Sequence, residues 1–432
     1  LESAKAADKE REQNEATGEE NSDVLKSLLQ ELGCDSLEQL ARVLGKDEDS
    51  TETVADTERP WPPMFEDLFT GGGWSSVRGH IENGVDVSET INLHGVEGLS
   101  IITLCAEQGD LETLKALVAA GADIDARQTN IEMPSGFNNP LVAALKGDNI
   151  EHFDYLIECG ADVDPFKDKE SGWTPLGQAA HHLNNAAIKT LLEGGADVNT
   201  ATADSANAFK IACHHTTAAA RKCMRTLIKA GIDTSRRDNE GYAGIHNVAA
   251  SKSPGTLLTL KLIVGEGKVN VDLPLRPAVG ADTPLKKALV YGNSECADYL
   301  LEQGASVAES SKFATSIFVQ IFDGATSEGL EEPIGWLEKV LAKGAIPTID
   351  DVMYLFSIIS ENDVDDESDV WLLACAEKIL NELDMSDVNL EDIDAEELSE
   401  KVDDALGSAP EITQAIIDKI KAFGIDVDDL TD

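Results

Sequence analysis

Gly172-Trp-Thr-Pro-Leu-Gly-Gln-Ala-Ala180, followed by Leu191-Leu-Glu-Gly-Gly-Ala-Asp-Val-Asn199, is the stretch that decides the fold. Thr174 is placed to cap a helix, and Pro175 suits the first helical position, where no amide hydrogen bond is lost. The Ala179-Ala180 pair lets that helix lie close to its neighbours. A second helix carries the Leu191-Leu192 pair toward a seam, and Gly195 ends it in a left-handed conformation. The unit is a helical hairpin too small to bury its own apolar face, so it needs copies of itself on either side.

Copies are present. Thr283-Pro-Leu-Lys-Lys-Ala-Leu-Val-Tyr-Gly292 precedes Leu300-Leu-Glu-Gln-Gly-Ala-Ser-Val307, and Gly98 through Cys105-Ala-Glu-Gln-Gly109 precedes Leu117-Val-Ala-Ala-Gly-Ala-Asp-Ile-Asp125. Pro140-Leu141 precedes Leu156-Ile-Glu-Cys-Gly-Ala-Asp-Val-Asp164. In all four the residue at the proline position lies 20 before the glycine of Gly-Ala: Ile101 to Gly121, Pro140 to Gly160, Pro175 to Gly195, Pro284 to Gly304. Unrelated helical hairpins would not share that register. The pattern resembles the ankyrin repeat, whose signature runs G-x-T-P-L-H-x-A-A through L-L-x-x-G-A-D-V-N. The resemblance implies an all-α ankyrin-repeat solenoid of stacked helix-turn-helix units joined by short β-hairpin loops, preceded here by a small helical hairpin.

Weaker copies extend the array. Ala208 to Cys213 with Gly231-Ile-Asp233 is one, Gly241 to Ala249 begins another, and Ile334 to Gly344-Ala345 supplies a second half. Residues 64–90 read as an N-terminal capping copy. The expected organisation is a disordered acidic tail over 1–21, a helical hairpin over 22–45, a linker over 46–62, the array over 63–348, and acidic degenerate capping repeats over 349–432.

Lys and Arg total 34 against 81 Asp and Glu, for a net charge of −47. Residues 1–60 carry −10, residues 346–432 carry −22 and the remainder −15, so the acidity is concentrated at the C-terminal end. Such a field repels phosphate backbones and anionic lipid heads and steers basic molecules inward. Direct nucleic-acid binding and membrane-surface binding are therefore not expected. Seven scattered cysteines without a C-x-x-C pair read as reduced thiols. With no apolar run following a basic N-terminal stretch, the expected location is the cytoplasm.

The chemistry-bearing motifs are few. No G-x-x-x-x-G-K-[ST], G-x-S-x-G, H-E-x-x-H or G-x-G-x-x-G occurs, so no enzyme activity and no cofactor are expected. Asp363 to Asp369 resembles a calcium loop only superficially, because the sixth position is not Gly and Ala374 stands at the twelfth. His181-His182 and His214-His215 occupy the same position in adjacent copies. Four imidazoles there form a candidate metal or proton-sensitive cluster, set against the plainer reading of polar helix ends.

The third constellation is a contact surface. Leu99, Trp173 and Tyr242 stand two residues before the proline position, at the expected hairpin tips, with Phe137 one residue out of register. Ankyrin proteins use these tips and the concave first-helix surface for partner contacts, and Trp and Tyr are favoured interface anchors. Glu107, Gln108, Lys146, Val290 and Tyr291 precede their helix-ending turns on that surface. The expectation is a non-catalytic scaffold for a basic protein partner, such as an inhibitor or immunity protein. An acidic nucleic-acid mimic, an adaptor bridging two proteins and a secreted host-targeting effector are the alternatives.

Overall fold

The computed structural model describes residues 62–383 except 94–95, 131–138, 166–173, 277–281, 309–314 and 362–369, together with 418, 421 and 422. The expected hairpin over 22–45 and most of the expected last capping repeat lie outside the described residues, as do Phe137 and Trp173. Two compact units divide the chain, Leu1–Ile211 with Lys229–Ile232, and Ala212–Ile228 with Asp233–Asp432.

Unit 1 opens with α1 (Pro63–Asp67), a π-helical turn over Leu68–Gly72, and α2 (Gly73–Glu82). β1 (Thr90–Leu93), β2 (Val96–Ser100) and β3 (Thr129–Asn130) form an antiparallel sheet in that order. The helix pairs α3 (Ile101–Gln108) and α4 (Leu111–Ala119), α5 (Pro140–Lys146) and α6 (Ile150–Glu158), and α7 (Pro175–His181) and α8 (Asn185–Glu193) follow. Then comes α9 (Ala208–Ala212), at the division between the units. Unit 2 holds α10 (Ala218–Lys229, ending at the division), α11 (Gly244–Ala250), α12 (Thr256–Gly265), α13 (Pro284–Val290) and α14 (Ser294–Glu302). It continues through α15 (Ile317–Ser327), α16 (Pro333–Ala342), α17 (Ile349–Glu361) and α18 (Val370–Glu382).

The first helix of each pair begins as the caps require. The Thr174 hydroxyl accepts from the Gly177 amide, Thr283 from Lys286, Ser100 from Thr103, and the Asn139 side chain from Val142. First helices pack on first helices, α3 on α5 on α7 in unit 1 and α11 on α13 on α15 in unit 2. That leaves them little outer surface: in α7, every residue from Pro175 to Ala180 is buried. Small side chains are what permit it.

Second helices are one-sided. In α8, Ala187, Ile188 and Leu191 are buried, whereas Leu192 is half-exposed. The expected Leu-Leu seam is thus filled mainly by its first member, as it also is at Leu117 and Leu156, while α14 buries both Leu300 and Leu301. Each second helix stops at its glycine. Gly195 has φ +89, its amide bonds back to Leu192 and the Ala196 amide to Leu191. A methyl group on Gly195 would meet nothing within 4 Å, so only the backbone penalty applies. Gly195→Ala should therefore cost about 1 kcal/mol, read as a lowered urea midpoint.

Two periodic contacts tie one copy to the next. Loop amides bond to aspartates of the preceding copy: Asp162 to Asp125 at 2.9 Å, Asp197 to Asp164 at 2.7 Å, and Ser306 to Asp272 at 2.7 Å. Eleven residues before each Gly-Ala glycine stands Asp110, Asn149, Asn184 or Asn293, at the N-cap position of the second helix. Asn149 and Asn293 also donate to carbonyls ending the previous first helix, Glu107 at 2.5 Å and Ser251 at 2.6 Å. This position is readable in the sequence as a recurring Asn or Asp, although the motif reading passed over it.

Candidate partner-binding surface

The first-helix ends are the natural place for a surface, because each helix stops there against a tight turn. In unit 1, Glu107 and Lys146 stand on neighbouring first helices and pair at 3.0 Å. The Gln108 carbonyl accepts the Trp74 indole N–H at 3.1 Å, so that position docks the capping copy. In unit 2, Tyr291 caps the end of α13 with 42% of its surface exposed.

Leu99 is a correction. It sits in β2 opposite Ile91 and is only 6% exposed, its side chain turned into the apolar layer beneath the sheet. Position within the repeat predicted a tip, but the β1–β2 pairing points it inward, and it offers no contact surface. Tyr242 is half-buried, its ring edge to face with His246 at 6.3 Å.

Among the described residues no group of three or more His, Cys, Asp or Glu side chains could hold a metal ion. His181 and His182 lie edge to face at 5.3 Å, with His182 against Gln178 at 2.9 Å, and His214 meets Asn247 at 3.3 Å. His215 Nε2 is buried.

His246, which the motif reading passed over, is the histidine under tightest control. Its Nδ1 accepts the Ala243 amide at 3.1 Å and its Nε2 faces the Leu273 carbonyl at 2.8 Å, which fixes the neutral Nε2–H tautomer. Burial pushes its pKa from 6.5 down to about 4, with Arg237 and Lys287 adding to that push. The signal was available, since His246 stands at the H of the T-P-L-H pattern.

At four of the described cysteines thiol chemistry is suppressed by the same force. Burial raises the thiols of Cys223 and Cys296 to about 11 and Cys375 to about 12, and raises Cys105 well above its usual value. A thiol held protonated is a poor nucleophile.

The charge pattern is the strongest feature of the surface. Arg78 meets Asp110, Arg225 meets Glu266, Lys252 meets Glu328, Lys339 meets Asp298 and Lys378 meets Glu338, all at 2.7–3.2 Å and all between successive copies or one copy further on. Lys261 lies over the Tyr299 ring at 5.4 Å. These bases are engaged inside the chain, and over the whole sequence carboxylates outnumber bases 81 to 34.

The family model for ankyrin repeats, in three copies, matches residues 102–202. These residues form ankyrin repeats. The chain's ankyrin copies are 35% identical over 95 residues to Ankyrin repeat and SAM domain-containing protein 6 of Mus musculus, covering 22% of this chain and 10% of that protein. Ankyrin repeat and KH domain-containing protein mask-1 of Caenorhabditis elegans is 24% identical over 226 residues, 51% of this chain and 8% of that one. Phosphocholine transferase AnkX of Legionella pneumophila is 24% identical over 223 residues, 46% of this chain and 23% of that one. The chain thus spans less than a quarter of the length of these relatives. Among solved structures, an ankyrin repeat domain from Acinetobacter baumannii is similar at 24% identity, covering 48% of this chain and 98% of that one with a TM-score of 0.40. Ankyrin arrays are protein-interaction scaffolds, and that general role applies here. No helix among the described residues is long and apolar enough to cross a membrane.

Proposed function

We propose that this ankyrin array is a non-catalytic cytoplasmic scaffold that holds a basic protein partner through its first-helix ends and hairpin tips. The observation that carries the reading is the disposition of charge. With −47 overall, −15 of it between residues 61 and 345, and several of its bases drawn into pairs between copies, the chain presents an acidic field to anything that approaches. Such a field raises the on-rate of a cationic partner and disfavours acidic ones. Tyr291, Tyr242, Glu107, Gln108 and Lys146 stand along the described part of this surface, and Trp173 and Phe137 are proposed to extend it from the loops outside the described residues. Buried, protonated thiols and the lack of a catalytic motif in the sequence support a binding role without a covalent step. An inhibitor or immunity protein is one concrete form.

Affinity capture with the full chain at low and at high salt tests this. The expected partner has a basic isoelectric point and is released as salt screens the interaction. Recovery of an acidic partner, or tighter binding at high salt, would overturn the proposal. The −22 of residues 346–432 favours a second form, in which the acidic end imitates a nucleic acid. In that case the captured partner would be displaced by duplex DNA or by RNA.

A further inference from the structure

Among the described residues, two of the four large hydrophobic side chains that stand exposed are tyrosines near one another in the repeat order, Tyr291 at the end of α13 and Tyr354 on α17. The first helix between them is α15, which packs against both. Its contact with α13 is close: a methyl group on Gly324 would lie 2.1 Å from the Leu289 carbonyl oxygen and 3.3 Å from the Val290 Cα. Asp323, the residue before Gly324, is therefore carried beside the end of α13. From the other side, the Tyr354 hydroxyl donates to Asp323 Oδ1. One half-exposed carboxylate, held by the Tyr354 hydroxyl, is thus carried on the helix that packs against the end of α13, where Tyr291 stands exposed.

The neighbouring charges leave Asp323 as the anion of this patch. Glu328 lies close to the Tyr291-Gly292 turn but already meets Lys252 at 3.2 Å. Lys287, on α13, is only 15% exposed and meets Asp282 at 3.3 Å. Aromatic faces and a carboxylate on one surface suit a guanidinium, which stacks on a ring and forks to a carboxylate together; an ammonium does only part of this.

We infer that Tyr291, Asp323 and Tyr354 form a docking site for an arginine side chain of the basic partner. This deepens the proposed function and rests on it. The occupant is argued from charge: the chain is strongly acidic, and this patch adds ring faces to its carboxylate.

The test uses the full chain and a fluorescent eight-residue peptide of alternating arginine and glycine, with lysine and glutamine counterparts, followed by anisotropy in about 50 mM salt. The arginine peptide should bind best. Tyr291→Ala and Tyr291→Leu should each weaken it about tenfold, since leucine keeps the bulk but has no ring face, and Asp323→Asn about fivefold. Glu295→Gln, an exposed carboxylate on the second helix α14, should leave it within twofold. Melting curves identify any variant that fails to fold, and the two Tyr291 substitutions serve as checks on each other. Arginine and lysine peptides that bind alike, with Tyr291→Leu and Asp323→Asn no weaker than Glu295→Gln, would overturn the arginine site while leaving the basic-partner reading intact. An arginine peptide bound no better than its glutamine counterpart would overturn both.

Discussion

Between about pH 7.5 and pH 5 the protein is expected to lose roughly 2 kcal/mol of stability through His246 alone, out of a full effect of roughly 3 kcal/mol. The sign follows from the direction of the shift. The folded pKa is lowered from 6.5 to about 4, so the folded state binds this proton less readily than the unfolded one. The stabilisation is fully present above about 6.5 and is lost as the pH falls from there to about 4. The geometry states the same thing without titration. Nδ1 accepts the Ala243 amide, so a proton placed there would set two donors face to face, next to Arg237 and Lys287. Nε2 meanwhile holds the Leu273 carbonyl of the following loop. Urea unfolding of the wild type and His246→Gln across this range checks it, staying above the isoelectric point near 4.3. The wild type should lose more stability than the variant on acidification. Parallel pH curves would show that His246 is not the responsible group.

Gly147→Ala, at the C-cap of α5, and Gly324→Ala, inside α15, should each destabilise by about 3 kcal/mol, although alanine at an interior position such as 324 normally stabilises a helix by about 1 kcal/mol over glycine. The reversed sign comes from backbone-to-backbone approach. A methyl group on Gly147 would lie 2.0 Å from the Glu107 carbonyl oxygen, and one on Gly324 would lie 2.1 Å from that of Leu289. Neither obstacle is a flexible side chain that can swing away, so the first helices would have to move apart. Gly79→Ala, in α2 with nothing within 4 Å of the added methyl, is the matching control and should be neutral or slightly stabilising. Equal urea midpoints for all three variants would refute the close-packing account.

Much of the fold could be read from short segments. Thr174-Pro175 and Thr283-Pro284 start helices because capping involves only the next three residues, and Gly195 and Gly304 end them because a left-handed turn is a local property. The repeat register then follows by counting. Reading weakened where the spacing changed. In the copy starting at Ile317, α15 runs for 11 residues where α13 has seven, and Gly344 falls 27 residues after Ile317 rather than 20. Asp323 stands six residues after Ile317, as Glu107 and Lys146 stand after Ile101 and Pro140, yet without the Thr-Pro start it was not recognised as a first-helix end. Tyr354 was missed for the same reason.

The sequence by itself determined the repeat, its caps, its glycine turns and the sign of its charge, because each depends on neighbours a few residues apart or on composition alone. Only the tertiary structure decided that Leu99 turns inward while Tyr291 stays exposed, that His246 is locked neutral, and that Lys339 and Lys378 meet carboxylates. Those outcomes rest largely on partners in the adjoining strand or the next copy, such as Asp298 for Lys339 and Leu273 for His246. Stacking brings such groups together, and no local rule specifies which of them will meet.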